Sequence, residues 1–114
     1  MSDVTIWHNP HCSKSRAALA LLQARGVEPR VVRYLDNPPD ATELTRVLGL
    51  LGMTPLDLLR RGEAIARDLE LGETDAAQLI AAMTKHPQLI ERPVVIRAER
   101  AVIGRPPERV LEIL

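Results

Sequence analysis

The start of the chain alternates between strand and helix patterns in a way that leaves few folds open. Residues 4–7, Val-Thr-Ile-Trp, are β-branched or aromatic and predict a strand. After a polar turn at 8–11, apolar residues recur at helical spacing from Ser13 to the glycine at position 26, where the helix is expected to end. Residues 30–34 predict a second short strand. The helix is therefore the crossover that a parallel pair of strands requires.

A block of helices is predicted next, after the break at residues 37–39. Asp40 followed by Glu43 resembles a capping box that opens a helix, and Thr74 is expected to cap a later one. Both helices carry an apolar stripe, which predicts one buried face on each. The block ends at about residue 85, just before a His-Pro pair.

The last part of the chain predicts a hairpin and a closing helix. Residues 93–96 and 101–103 read as two strands joined by a connection of hairpin length. A helix is expected from the Pro-Pro pair at 106–107, with inward-facing Val110, Leu111 and Leu114. The order β-α-β, a helical insertion at about 40–85, and β-β-α predicts an α/β chain with a thioredoxin-like fold and a four-stranded mixed sheet.

Size and composition favour one compact core. A chain of 114 residues, 46% hydrophobic, is expected to form a single domain over residues 1–114. It has no phenylalanine, one tryptophan and one tyrosine, so the core must be built from aliphatic side chains. Such a core suits helices packed on a small sheet.

Charge and hydropathy exclude several classes of protein. Fifteen basic and fifteen acidic residues cancel, so the broad positive field of a nucleic-acid-binding protein is missing. No stretch approaches the about 18 consecutive apolar residues that a membrane span needs, and the first residues do not resemble a signal peptide. We therefore expect a cytoplasmic protein that binds neither nucleic acid nor membrane.

The most informative single residue is Cys12, the only cysteine in the chain. It lies where the first strand gives way to the first helix, and the N-terminus of a helix stabilises a thiolate. A buried cysteine acting as a small apolar residue is the alternative, and the polar neighbours His11 and Ser13 argue against burial. With no second cysteine, any disulfide that Cys12 forms is with another molecule.

The spacing of Cys12 and Ser15 is that of a thioredoxin-type C-x-x-C site in which a hydroxyl replaces the second thiol. A phosphatase loop is the competing interpretation of a reactive cysteine in such a turn. Such loops carry an arginine at the position that Ala18 occupies here, and Arg16 comes too early to replace it. The pattern therefore favours a monothiol redox site.

Residues 8–16, His-Asn-Pro-His-Cys-Ser-Lys-Ser-Arg, resemble the active-site segment of the glutaredoxin-coupled arsenate reductases. Later signatures of that family are matched in order and at similar spacing. They are found at 34–39, 58–61, 86–87 with 89–90, 92–95 and 104–107. Agreement at six separated segments is far more specific than agreement at any one of them.

The resemblance implies a role for each of seven residues. Cys12 is expected to be the nucleophile, His8 to favour its thiolate and Ser15 to hydrogen-bond it. Arg60, Arg92 and Arg105 are expected to bind the oxyanion substrate, and Pro93 to be the cis-proline that faces the active-site cysteine. Arsenate would be the substrate, with glutathione as co-substrate and glutaredoxin as partner, and no metal or bound cofactor is required.

Each arginine also has an ordinary structural interpretation. Arg60 could be a solvated helix residue, Arg92 could pair with Glu91 or Glu99, and Arg105 could simply border the last helix. For the whole chain, an Spx-type transcriptional regulator that binds RNA polymerase is an alternative. Arginine after the glycine at position 104 is typical of the reductases and argues against it. A related thiol reductase acting on another oxyanion, or on a glutathione mixed disulfide, remains open.

Overall fold

The computed structural model describes residues 3–114, which divide into two compact units. The sheet unit comprises the chain up to Asn37 together with Arg92–Leu114, and the helical unit comprises Pro38–Glu91. The helical insertion that we expected at about 40–85 lies within the second unit. That the whole chain is one domain stays a prediction.

The sheet unit contains four strands and one long helix. The strands are β1 (Val4–Trp7), β2 (Arg30–Val32), β3 (Val94–Arg97) and β4 (Arg100–Ile103), and helix α1 (Ser13–Ala24) connects the first two. Their order across the sheet is β2-β1-β3-β4. β1 pairs with β2 in parallel, whereas the β1–β3 and β3–β4 pairs are antiparallel. The prediction of a thioredoxin-like fold with a four-stranded mixed sheet is confirmed.

The core of the sheet unit is aliphatic, as the composition requires. Its buried cluster draws on strands β1 and β3, on α1 and on the last turns of the chain. The members are Val4, Ile6, Ala18, Leu22, Val95, Val110 and Ile113. The two aromatic residues of this unit, Trp7 and Tyr34, have 4% and 1% of their surface exposed. Burial of this apolar surface is the main favourable contribution to the folding of the unit.

Two predicted elements of this unit differ from the structure. β2 ends at Val32, and Tyr34 lies in a turn in which the amides of Asp36 and Asn37 donate to the carbonyl oxygen of Arg33. The last helix, Pro107–Ile113, is a 3₁₀ helix. With three residues per turn, it aligns Val110 with Ile113 on the buried side. The prediction that Leu114 faces inward is therefore wrong, since Leu114 is exposed.

The β3–β4 hairpin contains an unusual backbone position. Ala98 follows Arg97 in the turn and has a φ of 51°, in the left-handed region. A Cβ atom is unfavourable in this region, so glycine usually occupies such positions.

The helical unit is built from short helices with well-defined caps. These are α2 (Ala41–Leu51), α3 (Pro55–Leu58), α4 (Ala64–Asp68) and α5 (Ala76–Lys85), with 3₁₀ turns at Leu71–Glu73 and Pro87–Leu89. α2 packs against α5 through their apolar stripes. The buried residues of these two helices are Leu44, Val47, Leu48, Leu79 and Met83. No helix within residues 3–114 is long and apolar enough to cross a membrane.

The caps correct two predictions. The side chain of Asp40 accepts from the amide of Glu43, as expected, but the carboxylate of Glu43 binds Arg46 instead of completing a capping box. Asp75, not Thr74, caps α5 through the amide of the third helical residue. Neighbouring Thr and Asp are both good N-caps, so the sequence pattern cannot choose between them.

Candidate active site

Cys12 is the N-cap residue of α1, where the positive end of the helix dipole favours an anion. Its amide donates to the carbonyl oxygen of Asn9, and its own carbonyl oxygen accepts from the amide of Arg16, both at 3.0 Å. Only 9% of Cys12 is exposed, so the prediction that its polar neighbours keep it from being buried is wrong. His11 and Ser13 point outward while Cys12 points inward. Whether a residue of this turn is buried depends on the direction of its side chain, and the residue types on either side do not determine that direction.

A buried hydrogen-bond cluster lies beside Cys12 in the chain. The hydroxyl Oγ of Ser15 is 2.6 Å from Nδ1 of His8 and accepts from the amide of Asn9 at 3.0 Å. Ser15 is fully buried and His8 is 7% exposed. Since water has little access, these bonds fix the serine hydroxyl and the imidazole relative to one another.

The environment of His8 keeps its imidazole neutral. Burial lowers the pKa of His8 below the ordinary value of 6.5, and the positive charges of Arg33 and Arg16 lower it further. At neutral pH a neutral ring therefore faces Ser15. The resemblance implies that His8 favours the thiolate, and a neutral ring would do so through hydrogen bonding rather than through a positive charge.

Asn9 and Arg16 hold the loop before Cys12. The amide of His11 donates to Oδ1 of Asn9 at 3.0 Å, which closes an Asx turn. Nη1 of Arg16 donates to the carbonyl oxygen of Pro10 at 2.9 Å, linking α1 to the loop. The Asn-Pro pair was a recognisable turn signal, whereas the contact made by Arg16 depends on the fold.

The predicted site residues Arg92, Pro93 and Arg105 lie next to strands β3 and β4, at the same end of the sheet. Trp7 pairs with Val94, and Val94 pairs with Ile103. Continuing both registers by one residue places Pro93 between His8 and Gly104. The sheet therefore brings Pro93 to the edge from which the Cys12 loop departs.

The segment before β3 is held from two sides. The Arg92–Pro93 peptide bond is cis, the isomer that the resemblance implies. The amide of Gly104 donates to the carbonyl oxygen of Pro93 at 2.9 Å, and Nη1 of Arg105 donates to that of Arg92 at 3.3 Å. A second cis bond, Arg105–Pro106, was not predicted. Arg92 and Arg105 are thus neighbours in space, and Arg105 does more than border the last helix.

Arg60 belongs to the helical unit and is described within it. It follows α3, and its amide donates to the carbonyl oxygen of Leu89 at 2.8 Å. Its guanidinium contacts Glu63 at 2.8 Å and Glu91 at 3.7 Å. It is therefore not a solvated helix residue, but an ion-paired side chain with 27% of its surface exposed. Its role in oxyanion binding stays a prediction.

Comparison with known proteins assigns the family. The model of the ArsC family matches residues 7–113. The chain is 48% identical to the uncharacterized protein YfgD of Escherichia coli K12, covering 98% of this chain and 97% of that one. It is 44% identical to an arsenate reductase of Haemophilus influenzae, covering 98% and 99%. An arsenate reductase from Vibrio cholerae has a solved structure that superposes with a TM-score of 0.95 at 46% identity, covering 97% of both chains. These matches span nearly the whole sequence and confirm the resemblance: the chain belongs to the ArsC family.

Proposed function

We propose that this protein reduces arsenate to arsenite, with Cys12 as the nucleophile. The observation that carries the proposal is the position of the single cysteine, which is the N-cap residue of α1, three residues before the Ser15 that bonds His8. Relatives of similar length that are named arsenate reductases support the choice of substrate.

The chemistry follows from a thiolate meeting an oxyanion. The sulfur of Cys12 attacks arsenic(V), a bond from sulfur to arsenic forms, and one oxygen leaves as water after protonation. A glutathione thiolate then attacks the sulfur of Cys12. The sulfur–arsenic bond breaks with its electron pair on arsenic, which leaves as arsenite, and a mixed disulfide of Cys12 with glutathione remains.

External thiols must complete the cycle. Because Cys12 is the only cysteine, no second thiol of this chain can resolve the mixed disulfide. We assign that step to glutaredoxin, which transfers the glutathione away and restores the Cys12 thiol. Both electrons given to arsenic therefore come from thiols, and the reaction as proposed requires no metal or prosthetic group.

Two anions must approach each other in the first step, so positive charge is needed around the substrate. We assign this role to Arg92 and Arg105; the guanidinium of Arg105 reaches the carbonyl oxygen of Arg92 at the end of the sheet beside Pro93. A guanidinium offers paired N–H donors that match the oxygens of a tetrahedral oxyanion. Arg60 is proposed as a third donor on the resemblance alone.

The test is arsenite release by the purified protein supplied with arsenate, glutathione and glutaredoxin. We expect turnover by the parent and none by Cys12→Ser, because a serine hydroxyl is not ionised at neutral pH. The melting temperature of the variant should stay close to that of the parent, since serine is similar in size to cysteine. Ser13→Ala, which changes an exposed neighbour, is the matched control and should keep full activity.

Two outcomes would contradict the proposal. Undiminished turnover by Cys12→Ser would show that the thiol is not the nucleophile. Turnover with selenate or with a glutathione mixed disulfide, but not with arsenate, would favour the related thiol reductase instead.

A further inference from the structure

Gly104 lies against the cis-proline, where there is no room for any side chain. A Cβ atom at this position would be 2.8 Å from Cγ of Pro93 and 2.9 Å from Cγ1 of Val110. Both distances are shorter than carbon atoms tolerate, so a neighbour would have to move. Around the described glycines at 26, 49, 52, 62 and 72, an added Cβ would meet nothing within 4 Å. A lack of space for a Cβ atom therefore distinguishes position 104 from these five glycines.

Neither neighbour can move easily. Val110 is fully buried in the core of the sheet unit, and the ring of Pro93 is rigid. The amide of Gly104 donates to the carbonyl oxygen of Pro93 at 2.9 Å, which holds the two backbones together. The amide of Arg105 donates to the carbonyl oxygen of Ile103, so the chain turns sharply at Gly104.

This turn directs the next side chain back towards Arg92. Nη1 of Arg105 reaches the carbonyl oxygen of Arg92 at 3.3 Å, on the other side of the cis bond from the contact made by Gly104. Continued by one residue beyond the pair of Trp7 with Val94, the register of the sheet places His8 beside Pro93 on the opposite flank. Displacement of Pro93 would therefore alter both the arginine pair, Arg92 and Arg105, and the His8–Ser15 cluster.

We propose that Gly104 is a positioning residue for the reaction, which sets the place of Pro93 and of the arginine pair by allowing the two backbones to touch. This inference rests on the proposed function and adds a residue to it. Gly104 contributes no chemistry of its own, since it has no side chain. Its contribution is geometric, and a misplacement of about 1 Å in a catalytic site can lower the rate on the order of a hundredfold.

The experiment compares Gly104→Ala with Gly49→Ala in the full chain. Gly49 lies inside α2 with open space around it, so the control adds the same methyl group without a clash. We measure kcat and KM for arsenate, the melting temperature, and the NMR titration of the His8 imidazole. For Gly104→Ala we expect kcat/KM to fall about tenfold or more, and the titration of His8 to move from that of the parent. Gly49→Ala should change neither.

A double variant separates positioning from simple core strain. Gly104→Ala with Val110→Ala removes the contact with Val110 and keeps the contact with Pro93. Because Val110 is buried, its truncation has a stability cost of its own, so the double variant is compared with Val110→Ala alone. We expect the two melting temperatures to be close, while kcat/KM of the double variant stays as low as that of Gly104→Ala. The double variant also replaces Gly104→Ala in every measurement if the single variant does not fold.

The inference is overturned if kcat/KM of Gly104→Ala stays within about twofold of the parent, or if the double variant regains full activity. A parent without arsenate turnover would refute the proposed function, and the His8 titration would then decide the inference alone. An unmoved titration in both the single and the double variant would show that Gly104 does not position this end of the sheet.

Discussion

The buried hydroxyl of Ser15 gives the sharpest prediction about stability. Replacing Ser15 with alanine removes its bonds to His8 at 2.6 Å and Asn9 at 3.0 Å. Each neutral bond contributes about 0.5–1.5 kcal/mol, and the loss is greater where the abandoned partner stays buried, as His8 does. The gain in helix propensity from serine to alanine offsets about 0.5 kcal/mol. We therefore expect Ser15→Ala to lower the free energy of unfolding by about 2 kcal/mol.

Urea unfolding followed by circular dichroism measures this loss. For a chain of 114 residues, it corresponds to a fall in melting temperature of about 8 °C. Ser13→Ala is the control, because Ser13 is exposed two residues earlier and should change stability by less than about 0.5 kcal/mol. Equal stability of the two variants would refute the reasoning, since it would mean that the buried bonds contribute nothing.

Three further predictions concern charge, backbone and substrate binding. Because the pKa of His8 is lowered in the folded state, the unfolded chain binds more protons below about pH 6.5, so the stability of the parent should fall as the pH drops through that value. His8→Gln should weaken this dependence in thermal melts recorded between about pH 5 and 8, and an unchanged slope would exclude His8 as its source. Ala98→Gly should raise the free energy of unfolding by about 0.5–1 kcal/mol by relieving the positive φ, whereas a loss in urea unfolding would contradict the turn geometry. Arg105→Lys should weaken arsenate turnover by about 1–3 kcal/mol in kcat/KM, since lysine keeps the charge but loses the planar pair of donors, and full activity would remove Arg105 from the proposed site.

The parts of the fold that the sequence predicted depend on local patterns. β1 and α1 follow from a β-branched run and from helical spacing, which act within a few residues. The parallel pairing of β1 and β2 could be inferred because a helix between two strands implies a parallel pair. By contrast, the 3₁₀ form of the last helix and the exposure of Leu114 depend on how Val110 and Ile113 meet the sheet, which is a long-range contact.

The candidate site was predictable in its residue types but not in its contacts. Cys12, Ser15 and the arginines stand out through a motif and a family resemblance. The burial of Cys12 and the ion pair of Arg60 with Glu91 depend on how the chain folds, so no local pattern reports them. Gly104 belongs to a segment that matches the family, but the reason for a glycine there, the close contact with Pro93, is visible only in the structure.

The positions of Trp7 and Tyr34 allow the two units to be followed by different spectroscopic signals. Both aromatic residues belong to the sheet unit, and the sequence of the helical unit, residues 38–91, contains no tryptophan, tyrosine or phenylalanine. Tryptophan fluorescence therefore comes from a residue of the sheet unit, one that directly precedes His8. Far-ultraviolet circular dichroism, which is dominated by helices, also reports on the helical unit. Recording both signals along one denaturation curve would show, without any label or mutation, whether the two units unfold in one transition or in two.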